Sequence, residues 1–261
     1  MFDNDVVLRE EDHRYFHNNG TEYLSNSRLV DQFKRPFNRE VTAFYSARKR
    51  LKSRGIDPTE EQIEIEKQVV LSEWAAKLKN AQLTGIHVHK VIETYFKTTK
   101  IIDSKYEEMV RAISRSLVEY PLIFSEQVLH YDKYLTAGKA DKICFRAKSK
   151  KGIVDIPDYK TNVEKGIEYS NKYGEYFLPP IDHLEACNYN EYALKMSLYG
   201  LYVEEQYGYC VGKLSLTFIP VNNPMAFKYI PIPFMKMEAQ AILKAYNETK
   251  KKNELYEPSD F

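Results

Sequence analysis

The chain has 261 residues, 43% hydrophobic and 29% charged, enough for a real core without disulfides or metals as staples. Its 38 Lys and Arg against 37 Asp and Glu exclude a strongly basic, histone-like binder and an acidic disordered tail; nucleic acid stays open, because an acidic metal site can cancel a basic track elsewhere. No apolar run approaches the ~18 residues of a membrane span, and Met1-Phe2-Asp3-Asn4-Asp5 lacks a signal-peptide pattern, so a cytoplasmic protein is expected.

In chain order, the stretch to about Asn80 reads as mainly helical after a short hairpin near Tyr15–Tyr23, with Asn18-Asn19-Gly20 as its turn. Ser25 or Ser27 caps the next helix. Phe37 to Arg54 reads as a basic amphipathic helix stopped by Gly55. Pro58-Thr59-Glu60-Glu61 opens a long helix carrying the single Trp, Trp74, and a separate helix is expected over Thr84–Lys97. Another helix is expected over Ser104–Val118. Strands follow over Phe124–Tyr131, Leu135–Phe145 and Gly152–Lys160, with Ser149-Lys150-Lys151-Gly152 as a turn. Glu164 to Asp182 has no period and is expected to be a long mobile loop. A helix over His183–Gln206, strands near Lys213–Val221 and Ala226–Pro231, and a Lys-rich helix from Met235 complete the chain. This order suggests an α/β core with a mixed sheet. Cys144, Cys187 and Cys210, far apart and odd in number, read as reduced packing residues.

The chemistry is concentrated around the predicted strands. Asp158 and Lys160 are two apart, so on a strand both point to one face. A carboxylate there can bind a hard divalent cation through oxygen, and a lysine beside it can orient water or stabilise developing phosphorane charge. Asp141, on the preceding strand, is placed as a second carboxylate. Two carboxylates and a lysine around a metal fit phosphodiester hydrolysis. Upstream, Gly85, His89 and Glu93 recur every fourth residue along one helix face. There His89 can supply a nitrogen ligand or a phosphate contact, and Glu93 a metal or water contact; His87 points elsewhere.

The ordered set Gly85…His89…Glu93, Glu126, Gly138-x-x-Asp141, Asp158-x-Lys160-Thr161 and Tyr192…Tyr199 resembles the PD-(D/E)xK nuclease superfamily, and within it the RecB-type branch. Tyr23-Leu24-Ser25-x-Ser27, followed by the Trp74 helix and the Gly85 helix, is similar in layout to bacteriophage exonucleases and the mitochondrial genome maintenance exonuclease. The resemblance implies a restriction-endonuclease-like α/β core with a central mixed β-sheet flanked by helices. One nuclease domain would span 1–261, with 1–80 a mainly helical N-terminal cover and 81–261 the core. It implies Mg2+ or Mn2+ held by Asp141, Asp158 and His89, with the Tyr159 carbonyl completing the shell and Lys160 positioning the attacking water. Glu93 and Glu126 would be supporting acidic groups. Thr161, Asn162 and Tyr199 would contact DNA or brace the site. Lys195 stands where the branch has Gln, four before Tyr199; it can touch phosphate or compete with the metal.

The expected activity is therefore metal-dependent hydrolysis of DNA, single-stranded and taken from an end. A catalytically impaired DNA-binding or recombination partner, or a structure-specific endonuclease, are the alternatives. DNA repair, recombination or replication proteins would be its partners, in the host cytoplasm if phage-encoded. Candidate phosphate contacts are Lys34-Arg35, Arg39, the Arg48–Arg54 cluster including Arg50, and Arg111 with Arg115. Tyr169, Tyr173 and Tyr176, interleaved with Lys165 and Lys172, are candidate stacking platforms.

Overall fold

A computed structural model describes residues 2–147, 152–162 and 166–256, without the side chains of 162 and 253–256. Ser149, Lys150 and Lys151 of the expected turn, and Glu164 and Lys165 of the expected loop, lie outside the described residues. The chain divides into two compact units, residues 1–35 with 89–261, and residues 36–88.

The larger unit is mixed α/β. Its eight-stranded sheet runs β1 (Val6–Arg9), β2 (Arg14–His17), β3 (Glu22–Ser25), β5 (Thr136–Phe145), β6 (Ile153–Asn162), β7 (Cys210–Pro220), β8 (Lys228–Ile232), and β4 (Leu122–Tyr131) also pairs with β5. Pairs β3·β5 and β6·β7 are parallel and the rest antiparallel. The β2–β3 hairpin lies where the Asn-Asn-Gly signal puts it, and Gly20 takes the positive φ of +88° its turn demands. Strand β1 was not expected. Its four residues are too short for a legible period, but Val6 is buried and pairs across to His17.

Ser25 caps helix α1 (Asn26–Asp31), its hydroxyl accepting from the Arg28 amide. Helices α1, α5 (Asn188–Glu205) and α6 (Lys236–Tyr256) pack onto the sheet. Their shared core includes Leu29, Leu194, Leu201, Ile242, Ile156 and Leu216, all at most 1% exposed. Helix α4 (Glu107–Ser116) buries Met109, Val110 and Ile113.

The smaller unit holds α2 (Arg39–Ser53) and the first part of α3 (Glu60–Thr98). Asn38 caps α2, and Gly55, at φ +78°, ends it in the left-handed region. Thr59 and Gln62 bond reciprocally at the start of α3. Ala43 and Ala47 let α2 approach Ile63 and Val70 in one cluster. The two helices expected over 58–97 are one: the stretch holds no proline after Pro58, and a single interior glycine costs only about 1 kcal/mol.

The expected mobile loop is instead fastened over its described part. Phe177 and Ile181 are buried in the core. The Leu178 amide donates to the Phe33 carbonyl, and Tyr176 bridges to Glu185. Asn171 binds the Glu185 carboxylate and the Ala186 carbonyl. The two apolar anchors lie in a stretch with no period, which is why the sequence reads as free loop.

Candidate active site

The site lies where β5 and β6 part. The two strands are in register at Cys144–Asp155 and Phe145–Val154, and the Arg146 amide donates to the Ile153 carbonyl beyond them. Three residues further along each strand, Asp141 faces Asp158 with no ladder pair between them. The Asp141 carboxylate takes the Tyr159 amide instead, at 2.7 Å. On the other edge of β5, the ladder runs through Ser125–Lys142 and Gln127–Ala140, which sets Glu126 opposite Asp141. Glu126 has φ +53°, unusual for a residue with a side chain and typical of strain held at a site. Helix α3 brings His89 to the same place, its Nδ1 3.2 Å from Asp141 Oδ1.

One donor atom each from His89, Glu126 and Asp141 lies within 4.8 Å of the others. This donor set suits a divalent cation: one imidazole and two carboxylates of like charge, held close, with Asp141 buried and His89 and Glu126 half-buried. Asp158 lies beside them, buried and ion-paired with Lys160. The Lys160 ammonium also donates to the Tyr159 carbonyl, at 3.2 Å.

Electrostatics divides these groups. Burial alone would raise Asp141, but the charge and hydrogen bond of His89, then Lys160 and the Tyr159 amide, hold it well below the usual carboxylate range. Burial, and next the charge on Asp141, push Asp158 up despite Lys160. Burial and Asp141 likewise raise Glu126. His89 is raised because Asp141 outweighs the burial that opposes its charge. For Lys160 burial is the largest single effect and lowers it, but Asp158 and Asp141 together outweigh it and leave the ammonium raised. The carboxylates thus crowd each other, which an added cation relieves.

A cleft of ≈280 Å³ opens on Asp141, Asp158 and Lys160. Tyr192, Lys195, Met196 and Tyr199 of α5 line it, at helical spacing on one face. The Tyr192 ring lies 5.5 Å from the Lys160 ammonium. The Tyr199 hydroxyl donates to the Lys139 carbonyl at 2.9 Å. Gly138 makes that approach possible: a Cβ there would meet the Tyr199 ring at 2.7 Å and the Asn26 amide at 2.8 Å.

No family model matches the chain, and no curated protein matches it. Among solved structures it is similar to a crystal structure from Eubacterium rectale described as "Putative exonuclease". The two are 15% identical with a TM-score of 0.43, over 88% of this chain and 79% of that one. A likeness of this size carries no argument about activity, so the chemistry rests on the side chains.

The other expected site residues are placed as follows. Glu93 is outside the three-donor group and ion-paired with Lys97. Lys195 lines the cleft, but its ammonium is held by Glu191, which also binds Lys34 at 2.6 Å. Thr161 is half-buried at the end of β6, and the Asn162 side chain lies outside the described residues. Tyr173 is exposed, with the Lys172 ammonium 4.8 Å from its ring; Tyr169 packs on Tyr189. Arg111 pairs with Glu107, and Arg50 with Glu73. Lys139 was not anticipated. It lines the cleft and pairs with Glu126 at 3.0 Å. It stands two before Asp141, so strand alternation alone puts both on one face.

Proposed function

We propose that the chain is a metal-dependent deoxyribonuclease of the PD-(D/E)xK type, RecB-like, that hydrolyses single-stranded DNA from an end. The observation that carries this reading is the splayed β5–β6 junction, which sets His89, Glu126 and Asp141 within 4.8 Å of one another beside the Asp158–Lys160 pair. His89, Glu126 and Asp141, with Asp158 at their side, would hold Mg2+ or Mn2+. Such an ion, when bound, supplies Lewis-acid stabilisation of charge on a phosphoryl oxygen.

The chain's own residues supply the rest. Lys160, fixed by Asp158 and the Tyr159 carbonyl, points a permanent ammonium at the cleft, where it orients the attacking water and stabilises the charge that develops on phosphorus. Asp158, which lines the cleft beside Lys160, is the carboxylate placed to take the proton that the water gives up. Tyr192 and Met196 wall the cleft and limit bulk water. Tyr199 braces the Gly138–Lys139 backbone and so the strand that carries Asp141. Glu191 holds Lys195 at the cleft wall, which suits contact with a substrate phosphate rather than competition with the cation.

Digestion of end-labelled single and double strands, with Mg2+, Mn2+ or chelator, tests this directly. Metal-dependent loss of single strands is expected, reduced by at least about 10²-fold in Asp158→Ala. Undiminished activity in that variant contradicts the assignment. Cleavage of a closed circular single strand would select the endonuclease instead.

A further inference from the structure

The basic cluster of α2 is two populations of charge. Arg50 lies with Ala43 and Ala47 on the side of the helix turned to α3, where Glu73 and Glu66 take its guanidinium. Arg54, one turn on, also binds Glu66. Lys67 takes Glu40, the acidic residue of the first turn of α2. Within this unit the carboxylates facing α2 are thus already engaged.

Val41, Tyr45, Arg48, Lys49 and Lys52 fall on the opposite side, inside an arc of about 100° at ideal helical spacing. All five are exposed, Tyr45 at 62% and Val41 at 48%. No acidic residue shares the arc. Arg48, Lys49 and Lys52 have no carboxylate partner among the described residues. The face therefore presents three uncompensated cations within about one and a quarter turns, next to a solvent-facing ring.

We infer that this face of α2 is a binding track for single-stranded nucleic acid, with phosphates on Arg48, Lys49 and Lys52 and a base stacked on Tyr45. Positive charge without acidic relief matches a polyanion. An exposed ring beside it suits an unpaired base, which offers a flat face whatever its sequence. A membrane surface is the poorer match, since only Val41 and Tyr45 are apolar on the arc and a surface helix needs a broad apolar face. An acidic peptide would use the cations but leave the ring without a purpose. The inference deepens the proposed function, on which its choice of nucleic acid rests, and it assigns binding to residues apart from the cleft.

The test is fluorescence anisotropy of a labelled single-stranded oligonucleotide with the full chain, in chelator so that nothing is cut, over a range of salt. Replacing the three cations together (R48Q, K49Q and K52Q) should weaken binding at least tenfold and flatten the salt slope by about 2. Tyr45→Ala should weaken binding by about tenfold with the slope unchanged, and Tyr45→Phe should bind as the parent does. All these positions are exposed, and a retained thermal midpoint verifies folding. Unchanged affinity and slope in the triple variant overturn the inference, as does unchanged affinity in Tyr45→Ala. Polyglutamate that displaces the oligonucleotide equally well overturns it in favour of an acidic protein partner. The two proposals fail separately: metal-dependent cutting with normal binding by the α2 variants sinks only the track, and α2-dependent binding without cutting in any metal sinks only the nuclease.

Discussion

Asp155 and Asp158 lie three residues apart on one strand, both about 95% buried at 5% exposure, and their surroundings treat them oppositely. Asp155 is saturated by protein donors. Arg146 reaches it through Nε and Nη2, the latter at 2.7 Å, and the Tyr120 hydroxyl and Lys213 amide each donate at 2.6 Å. Burial pulls its pKa up, but these donors hold it below the usual range. Among the described residues Asp158 has Lys160 alone, and Asp141 and Glu126 crowd the same space. A buried carboxylate that protein donors satisfy holds the fold together; buried carboxylates that outnumber their donors are built to receive something positive. Under the proposed function Asp155 serves the fold and Asp158 the site, although both belong to one short Asp-x-x-Asp stretch.

The largest contrast to break is in stability. Asp155→Ala should cost about 2–4 kcal/mol, read from denaturant midpoints, because it strands the Lys213 amide and the Tyr120 hydroxyl and frees Arg146. Activity per folded molecule should survive. The sign with pH follows from the lowered pKa. The contribution of Asp155 is complete above the unfolded carboxylate value of about 3.9 and is lost as pH falls through the lower folded value. Asp155→Ala should therefore flatten the acid limb of a stability profile, and an unchanged limb would show that the cluster is not linked to folding.

Two glycines sharpen the same contrast. A Cβ at Gly212 would lie 2.3 Å from Asp155 Oδ1, and one at Gly138 would meet Tyr199 and Asn26. Gly212→Ala should cost about 1–3 kcal/mol of stability with activity intact. Gly138→Ala should lower cleavage by more than its stability loss explains, because it displaces the brace on Lys139. The reverse pattern would mean that the two ends of the strand have been assigned the wrong way round.

The smallest effect is the balance of two opposed ones. Crowding raises Asp158, so its ionised form disfavours the fold above that raised pKa, but the same carboxylate pairs with the buried Lys160 ammonium. Asp158→Asn without metal should therefore shift Tm much less than Asp155→Ala does. A loss in Tm as large as that of Asp155→Ala would erase the distinction.

Much of the site is legible in the sequence because strand parity is strict. Asp158 and Lys160 share a face, and Asp141 comes to lie across from Asp158, as the spacing implies. Helical spacing likewise separates His89, which meets Asp141, from His87. Glu126 was visible only through a resemblance, since its left-handed backbone interrupts the alternation that makes strand faces readable. Lys139 obeys that alternation and could have been found by it. Arg50 could not have been separated from Arg48 by composition, because the partner that consumes its charge, Glu73, is 23 residues away. In the fold, the long strands and their order were readable, whereas β1 was too short, and α3 lacked the break that one glycine and a change of pattern suggested.

The claim that most needs testing is that the crowded carboxylates hold a divalent cation. Calorimetric titration with Mn2+ measures it without reference to any substrate. The account predicts saturable binding by the parent protein, abolished or weakened at least about tenfold in Asp141→Asn and unchanged in Asp155→Asn. Equal binding by the parent and Asp141→Asn, or none by the parent, would contradict it.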